Sequence, residues 1–170
     1  MDATPLLVEI ADAFADAQLE AILIGGAGAA LQGAPVTTLD FDFLYRTSPA
    51  NQTKLHKVAA LLGGQITQPF PTISTLFRIL RPNSPLQIDL VSQIHGVKSF
   101  NTLRANAVRI ELNGRTILVA SLADIIKSKK EANRPQDVAV LHVLQRTFEE
   151  QEATQTHQTG TDPGSDAPSE

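Results

Sequence analysis

The sequence predicts an α+β domain, a mixed sheet with helices packed on it, and three observations lead there. Short apolar runs of strand length alternate with segments whose apolar residues recur at helical spacing. Asn113-Gly114 sits between two β-rich runs, the strongest short-range hairpin signal, so part of the sheet is antiparallel. Two helical segments with no strand between them close the pattern.

Thr4-Pro5 is a helix start, followed by Leu7, Ile10 and Phe14 on one stripe. Ala21–Ile24 is a short apolar strand that runs into Gly25-Gly26, a short helix of small residues and a stop at Gly33. Thr37–Tyr45 reads as the second strand. Ser48-Pro49 opens a helix with the stripe Leu55, Val58, Ala59 and Leu62, ending at Gly63-Gly64. Strands follow at Thr75–Leu80 and Leu86–Val91, then the hairpin Val108–Leu112 and Arg115–Val119. Ser121 and Asp124 have capping-box spacing at the start of a helix reaching about Ala132. Pro135 opens the last helix, which is expected to run to about Glu149.

The 170 residues, 42% apolar and 19% charged, suit one ordinary domain. There is no cysteine, which excludes a disulfide scaffold, a thiolate metal site and a cysteine nucleophile. Neither a signal peptide nor a membrane span is expected, so the expected location is the cytoplasm. The net charge of −4 is unevenly spread: residues 150–170 carry five acids and no lysine or arginine, leaving 13 acids against 14 bases before them. That acidic segment has nothing apolar larger than alanine, so residues 1–149 read as the domain and 150–170 as a disordered tail.

Residues two apart in a strand share a face, so Asp40 and Asp42 are expected on one side, with Leu39, Phe41 and Phe43 on the other. Their Cα atoms would lie roughly 6.5–7 Å apart, close enough for both carboxylates to reach one or two cations. Asp89, between Ile88 and Leu90, repeats the arrangement. Three strand carboxylates suit hard divalent ions such as Mg²⁺ and two-metal phosphoryl transfer; the alternative is three solvent-facing acids. Gly25-Gly26, where a strand meets a helix, lets backbone amides approach phosphate oxygens. A dinucleotide-binding turn fails because Leu31 stands where the third glycine belongs, and no Walker lysine follows.

At about 100° per residue, Lys129 falls within the stripe of Leu122, Ile125 and Ile126. Asp137 falls near the stripe of Val138, Leu141, Leu144 and Phe148. Both charges therefore point into the protein. One reading is a buried Lys129–Asp137 ion pair. The other has Lys129 neutralise a triphosphate while Asp137 orients it or assists deprotonation of an acceptor. Lys127, Lys130 and Arg134 would form a basic rim. The four histidines show no ligand spacing, and Arg78 faces either the site or solvent.

A helix, a strand, Gly-Gly and then Asp-x-Asp after a 13-residue gap resembles the minimal nucleotidyltransferase (DNA polymerase β-like) superfamily. GGAGAALQGAPVTTLDFDFL is similar to the first motif of its AbiEii-like, toxin–antitoxin group, and ADIIKSKKEANRPQDVAVL looks like the second. The resemblance spans roughly residues 5–148 and implies a nucleotidyltransferase fold. It implies Asp40, Asp42 and Asp89 as ligands of Mg²⁺ or Mn²⁺, and Gly25, Gly26, Thr38, Lys129 and Arg134 as contacts to an NTP. Lys129 and Asp137 match the lysine and aspartate of the second motif, while Val36 stands where the group commonly has arginine. The implied activity is NMP transfer to a hydroxyl of tRNA, protein or a small molecule, with a cognate antitoxin or toxin, or a second copy of the chain, as partner. The competing expectations are a non-catalytic nucleotide-binding or antitoxin-like protein and an aminoglycoside-type transferase.

Overall fold

The computed structural model describes residues 3–38 and 40–159, the side chains of 158 and 159 aside. In chain order the elements are α1 (Thr4–Ala17), β1 (Ala21–Ile24), α2 (Gly25–Leu31), β2 (Phe41–Tyr45), α3 (Pro49–Leu61) and β3 (Gln65–Thr67). Then come β4 (Phe77–Leu80), β5 (Gln87–Val91), α4 (Phe100–Asn106), β6 (Val108–Leu112), β7 (Arg115–Val119), α5 (Leu122–Ala132) and α6 (Pro135–Thr159).

Among the described residues the strands form one seven-stranded mixed sheet, ordered β3-β4-β5-β2-β1-β7-β6. β1 runs antiparallel to β2 and parallel to β7, and β2 runs parallel to β5. The apolar runs that defined these strands are central: every residue of β1 is buried. On one face, α1 and α3 pack Leu7, Ile10, Phe14, Leu55 and Val58 against Phe41 and Phe43. The rings of Phe14 and Phe43 meet edge to face, with centroids 4.8 Å apart, a favoured aromatic geometry. On the other face, Ile125 and Leu144 join Ile22, Ile24 and Leu44, with Phe100 and Leu103 of α4 alongside. Each such side chain contributes on the order of 1.5–3 kcal/mol by leaving water. Asp42, between Phe41 and Phe43, therefore projects toward the second face.

Several expectations change. β2 begins at Phe41 rather than Thr37, so Asp40 precedes the ladder instead of standing within it. The reason is local: β1 ends at Ile24, opposite Asp42, so the described residues before Phe41 have no β1 partner to pair with. The Thr38 hydroxyl instead bonds the Asp40 backbone, donating to its carbonyl at 3.2 Å and accepting from its amide at 3.3 Å. Such local side-chain bonding offers the backbone an alternative to the ladder. Leu39, expected on the apolar face, lies outside the described residues. β3 and α4 were not expected. β3 has three residues, and α4 has seven, with only Phe100 and Leu103 buried. Neither is long enough to display a period.

The last helix does not stop at Glu149. It continues to Thr159, so residues 150–159 of the expected disordered tail are helical, and 160–170 lie outside the described residues. Extending a formed helix fixes one residue per added hydrogen bond. Gln151 also donates from its side-chain amide to the Gln32 carbonyl, anchoring the extension. Val138, placed in the inward stripe by spacing, is 51% exposed. Asp137, Val140, Leu141 and Leu144 take that face instead, with Asp137 only 1% exposed. Among the described residues no helix is long and apolar enough to cross a membrane.

Candidate active site

The glycine turn and the Asp-x-Asp segment are built against each other. Gly25 has φ +65°, a conformation that side chains other than glycine rarely adopt. A Cβ there would stand 2.9 Å from Oδ2 of Asp42, so the turn backbone lies directly against that carboxylate. At Gly26 a Cβ would come within 3.3 Å of the Thr38 Cβ. Two hydrogens at consecutive positions thus let the turn sit beneath Thr38 and beside Asp42. Val36, at the position where the resemblance implies arginine, packs against the second apolar cluster.

Asp42 and Asp89 are in register on the adjacent parallel strands β2 and β5. Among the described residues Asp42 forms no ion pair or side-chain hydrogen bond. Burial, then the charges of Asp89 and Asp40, push its carboxyl up to about 6, against the smaller opposing pull of Lys129 and Arg134. Desolvation and like charge both disfavour the ionised form. Asp40 is exposed. Asp89 is engaged. Arg78, directly opposite it on the antiparallel neighbour β4, donates from Nε to Oδ1 at 2.7 Å and from Nη2 to Oδ2 at 2.6 Å. That bond, above all, keeps Arg78 more firmly protonated than usual. No group of three acidic or imidazole side chains among the described residues is gathered tightly enough to hold an ion as it stands.

The second charged cluster comes from the α5–α6 corner. The Ser121 hydroxyl caps α5 by accepting from the Asp124 amide at 3.1 Å, the usual service of an N-cap serine. Asn133, left-handed at φ 49°, ends the helix, and Pro135 starts the next. Asparagine tolerates that conformation, and proline suits a first helical position. This tight corner brings Lys129 Nζ within 2.9 Å of Asp137 Oδ1 and Arg134 Nε within 2.6 Å of Asp137 Oδ2. Burial disfavours the charged form of Asp137, but the hydrogen bonds from Arg134 and Lys129 outweigh it and hold the carboxyl below its ordinary value. The ion-pair reading of Lys129 and Asp137 describes this contact. Lys127 and Lys130 lie on the other side of α5, both exposed.

A cleft of about 270 Å³ joins the glycine turn and Asp42 to the α5–α6 corner, lined by Gly25, Gly26, Asp42, Lys129, Arg134 and Asp137 among others, while Thr38, Asp40, Arg78 and Asp89 stand outside its lining. Gln93 and His95, from the segment after β5, and Ser128, one residue before Lys129, also line it. Sequence reasoning passed over Gln93 and Ser128, and it set His95 aside with the other histidines for want of ligand spacing. The only signal for the three was proximity in sequence to Asp89 and Lys129. Arg78 was weighed but not placed, because alternation gives a face and not a partner.

No family model matches the chain, and no curated protein sequence does. Solved structures do. ANT(2″)-Ia, in complex with adenylyl-2″-tobramycin, aligns over 91% of this chain and 98% of its own, with TM-score 0.59 and 13% identity. The lincosamide antibiotic adenylyltransferase LnuA, lincomycin-bound, aligns over 82% and 94%, with TM-score 0.59 and 14% identity. An antigenic nucleotidyltransferase-like protein from Paracoccidioides brasiliensis aligns over 84% and 75%, with TM-score 0.54 and 16% identity. Likeness at these identities speaks to the backbone, and in each case it spans most of both chains. This chain has the nucleotidyltransferase fold.

Proposed function

We propose that this chain is a nucleotidyltransferase that moves an NMP group from an NTP to a hydroxyl of a small-molecule acceptor, with Mg²⁺ or Mn²⁺. The observation that carries the reading is the registered pair Asp42 and Asp89 beside the Gly25-Gly26 turn, with Lys129 and Arg134 acting on Asp42 across the cleft. Carboxylate oxygens fit a hard divalent ion, and crowding of Asp42 by Asp89 and Asp40 is the imbalance that such an ion relieves. Asp40 and Asp42 would hold it, with Asp89 joining when released from Arg78. Bound there, the ion supplies neutralisation of the charge that builds on the phosphates.

The turn amides of Gly25 and Gly26, with Thr38 above them, would cradle the triphosphate. Lys129 and Arg134 would offset its charge. Asp137 is buried and doubly paired, which favours a positioning role over that of proton acceptor. In the transfer the acceptor oxygen bonds to Pα as the Pα–O–Pβ bond breaks. Pyrophosphate leaves, and the hydroxyl proton passes to solvent.

The antibiotic-modifying proteins of like fold support the small-molecule acceptor. The resemblance to the toxin–antitoxin group supports tRNA or protein as a second acceptor class. Labelled NTPs with Mg²⁺, a panel of aminoglycosides and lincosamides, and cell extract test both. Transfer is expected from the native chain and not from Asp40→Ala or Asp42→Ala, and equal transfer by all three sinks the assignment. A non-catalytic nucleotide-binding role is the second reading, favoured by the closure of Arg78 on Asp89. NTP binding by calorimetry that ignores Mg²⁺, alongside no transfer, selects it.

A further inference from the structure

We propose that Arg78 is a removable counter-ion: in the resting protein it takes the cation position on Asp89, and it gives up Asp89 when nucleotide phosphates enter the cleft. The inference rests on the nucleotidyltransferase reading of the site. It assigns Arg78 as a positioning residue that acts through Asp89.

Three features of the structure support it. The first is placement. Arg78 is the cross-strand partner of Asp89, and Asp89 is in turn the cross-strand partner of Asp42, so the three charges form one row across β4, β5 and β2. The second is geometry. Both carboxylate oxygens of Asp89 receive a guanidinium N–H, at 2.7 Å and 2.6 Å. Lysine cannot make that bidentate fork. The third is the asymmetry of exposure: the Arg78 side chain is 32% exposed and that of Asp89 only 13%. The arginine has room to swing on its flexible stem, whereas the aspartate is fixed in the sheet.

Charge counting gives the consequence. Asp40, Asp42 and Asp89 carry three negative charges, and Arg78 cancels one. The two that remain on this row suit a single dication, while the Lys129–Arg134–Asp137 cluster across the cleft, net one positive, is left to meet phosphate. Releasing Arg78 exposes the third charge and opens room for a second ion, and triphosphate oxygens are the anions able to draw a guanidinium away. The resting site is therefore set for one divalent ion and the nucleotide-loaded site for two. Arg78 keeps Asp89 from binding an ion before substrate is present.

Mn²⁺ titration followed by electron paramagnetic resonance tests this on the full chain, with and without a non-hydrolysable α,β-methylene NTP analogue. The native protein is expected to bind one Mn²⁺ per chain alone and two with the analogue. Arg78→Gln is expected to bind two without it, with affinity at Asp89 raised about tenfold, the effect of losing one charge-assisted partner. Arg78→Lys, which keeps the charge and loses the fork, should fall between, and Asp89→Asn added to Arg78→Gln should abolish the gain. Native protein and both Arg78 variants binding Mn²⁺ with the same stoichiometry and affinity overturns the role of Arg78 alone. No Mn²⁺ bound by any form, with or without the analogue, overturns the transferase reading beneath it. Thermal melting of each variant identifies one that fails to fold, and the lysine variant then decides.

Discussion

Asp42 lies in register with Asp89 across the parallel β2–β5 ladder, but the two carboxylates are compensated differently. Arg78 grips both oxygens of Asp89, while Asp42 faces Lys129 and Arg134 only through the field across the cleft. The first prediction follows from that imbalance. Folded Asp42 titrates near 6 and unfolded aspartate near 3.8, so between these values the folded chain holds more protons. Stability of the metal-free protein should therefore fall as pH rises from about 4 to about 6 on account of this group. Asp42→Asn should stabilise it at pH 7 by about 2 kcal/mol, allowing for solvent screening, and hardly at about pH 3.5. Urea denaturation with a chelator at the two pH values checks this, and an equal gain at both counts against it. Divalent-ion affinity should weaken as pH drops through about 6, because the ligand must be deprotonated.

Asp137 should behave in the opposite sense. Its carboxyl is held below the ordinary value, so its contribution is present above the unfolded value and lost as pH falls through the lower folded one. Lys129 is 17% exposed. Asp137→Ala leaves it without its partner and should cost about 3 kcal/mol at neutral pH. The Arg134 side chain is 62% exposed. Arg134→Ala should cost about 1 kcal/mol or less. Chemical denaturation of the two variants should separate them clearly; equal losses would mean that Asp137 is held by Arg134 rather than by Lys129.

The glycine turn gives a paired comparison. Gly25 and Gly33 both have positive φ. Alanine at either should cost about 1–2 kcal/mol from the left-handed backbone. Only at Gly25 would the new Cβ also meet a carboxylate oxygen, whereas at Gly33 no atom of the described residues lies within 4 Å. Gly25→Ala should be the more destabilising in melting experiments and should also lower nucleotide affinity, which Gly33→Ala should leave unchanged.

Tyr45 is fully buried, with its ring edge-on to Phe77 and its hydroxyl without a hydrogen-bond partner among the described residues. Burial raises its phenol above the usual value. Tyr45→Phe keeps the packing and removes an unsatisfied polar atom, so it should be neutral or stabilising by about 1 kcal/mol. A loss of stability in thermal melts would show that the hydroxyl is satisfied in solution.

Residue type and spacing carried much of this. Val108–Leu112 and Arg115–Val119 were readable because Asn113-Gly114 favours the left-handed conformation that the turn requires, and both residues adopt it. Lys129 and Asp137 were readable as inward charges because helical angle depends only on position. Their contact depended on the two-residue corner Asn133-Arg134, which spacing alone does not measure. Asp40 was misplaced because strand propensity continues through Thr37-Thr38, while the partner that would extend the strand is missing once Ile24 turns into Gly25. The Arg78–Asp89 pair was hidden because it depends on register between strands, a property of two segments at once. The helical extension past Glu149 was hidden because its composition is polar, and its anchor, Gln32, lies far away in sequence.

The sheet order has a bearing on how the site fails. β2 stands fourth of seven, with three strands on either side, while β4 is second from an edge. Amide hydrogens around Asp42 should then exchange only through global unfolding, whereas those around Arg78 can exchange through fraying of the β3–β4 border. A chain loosened at that border would lose the arginine first and keep the carboxylates in place.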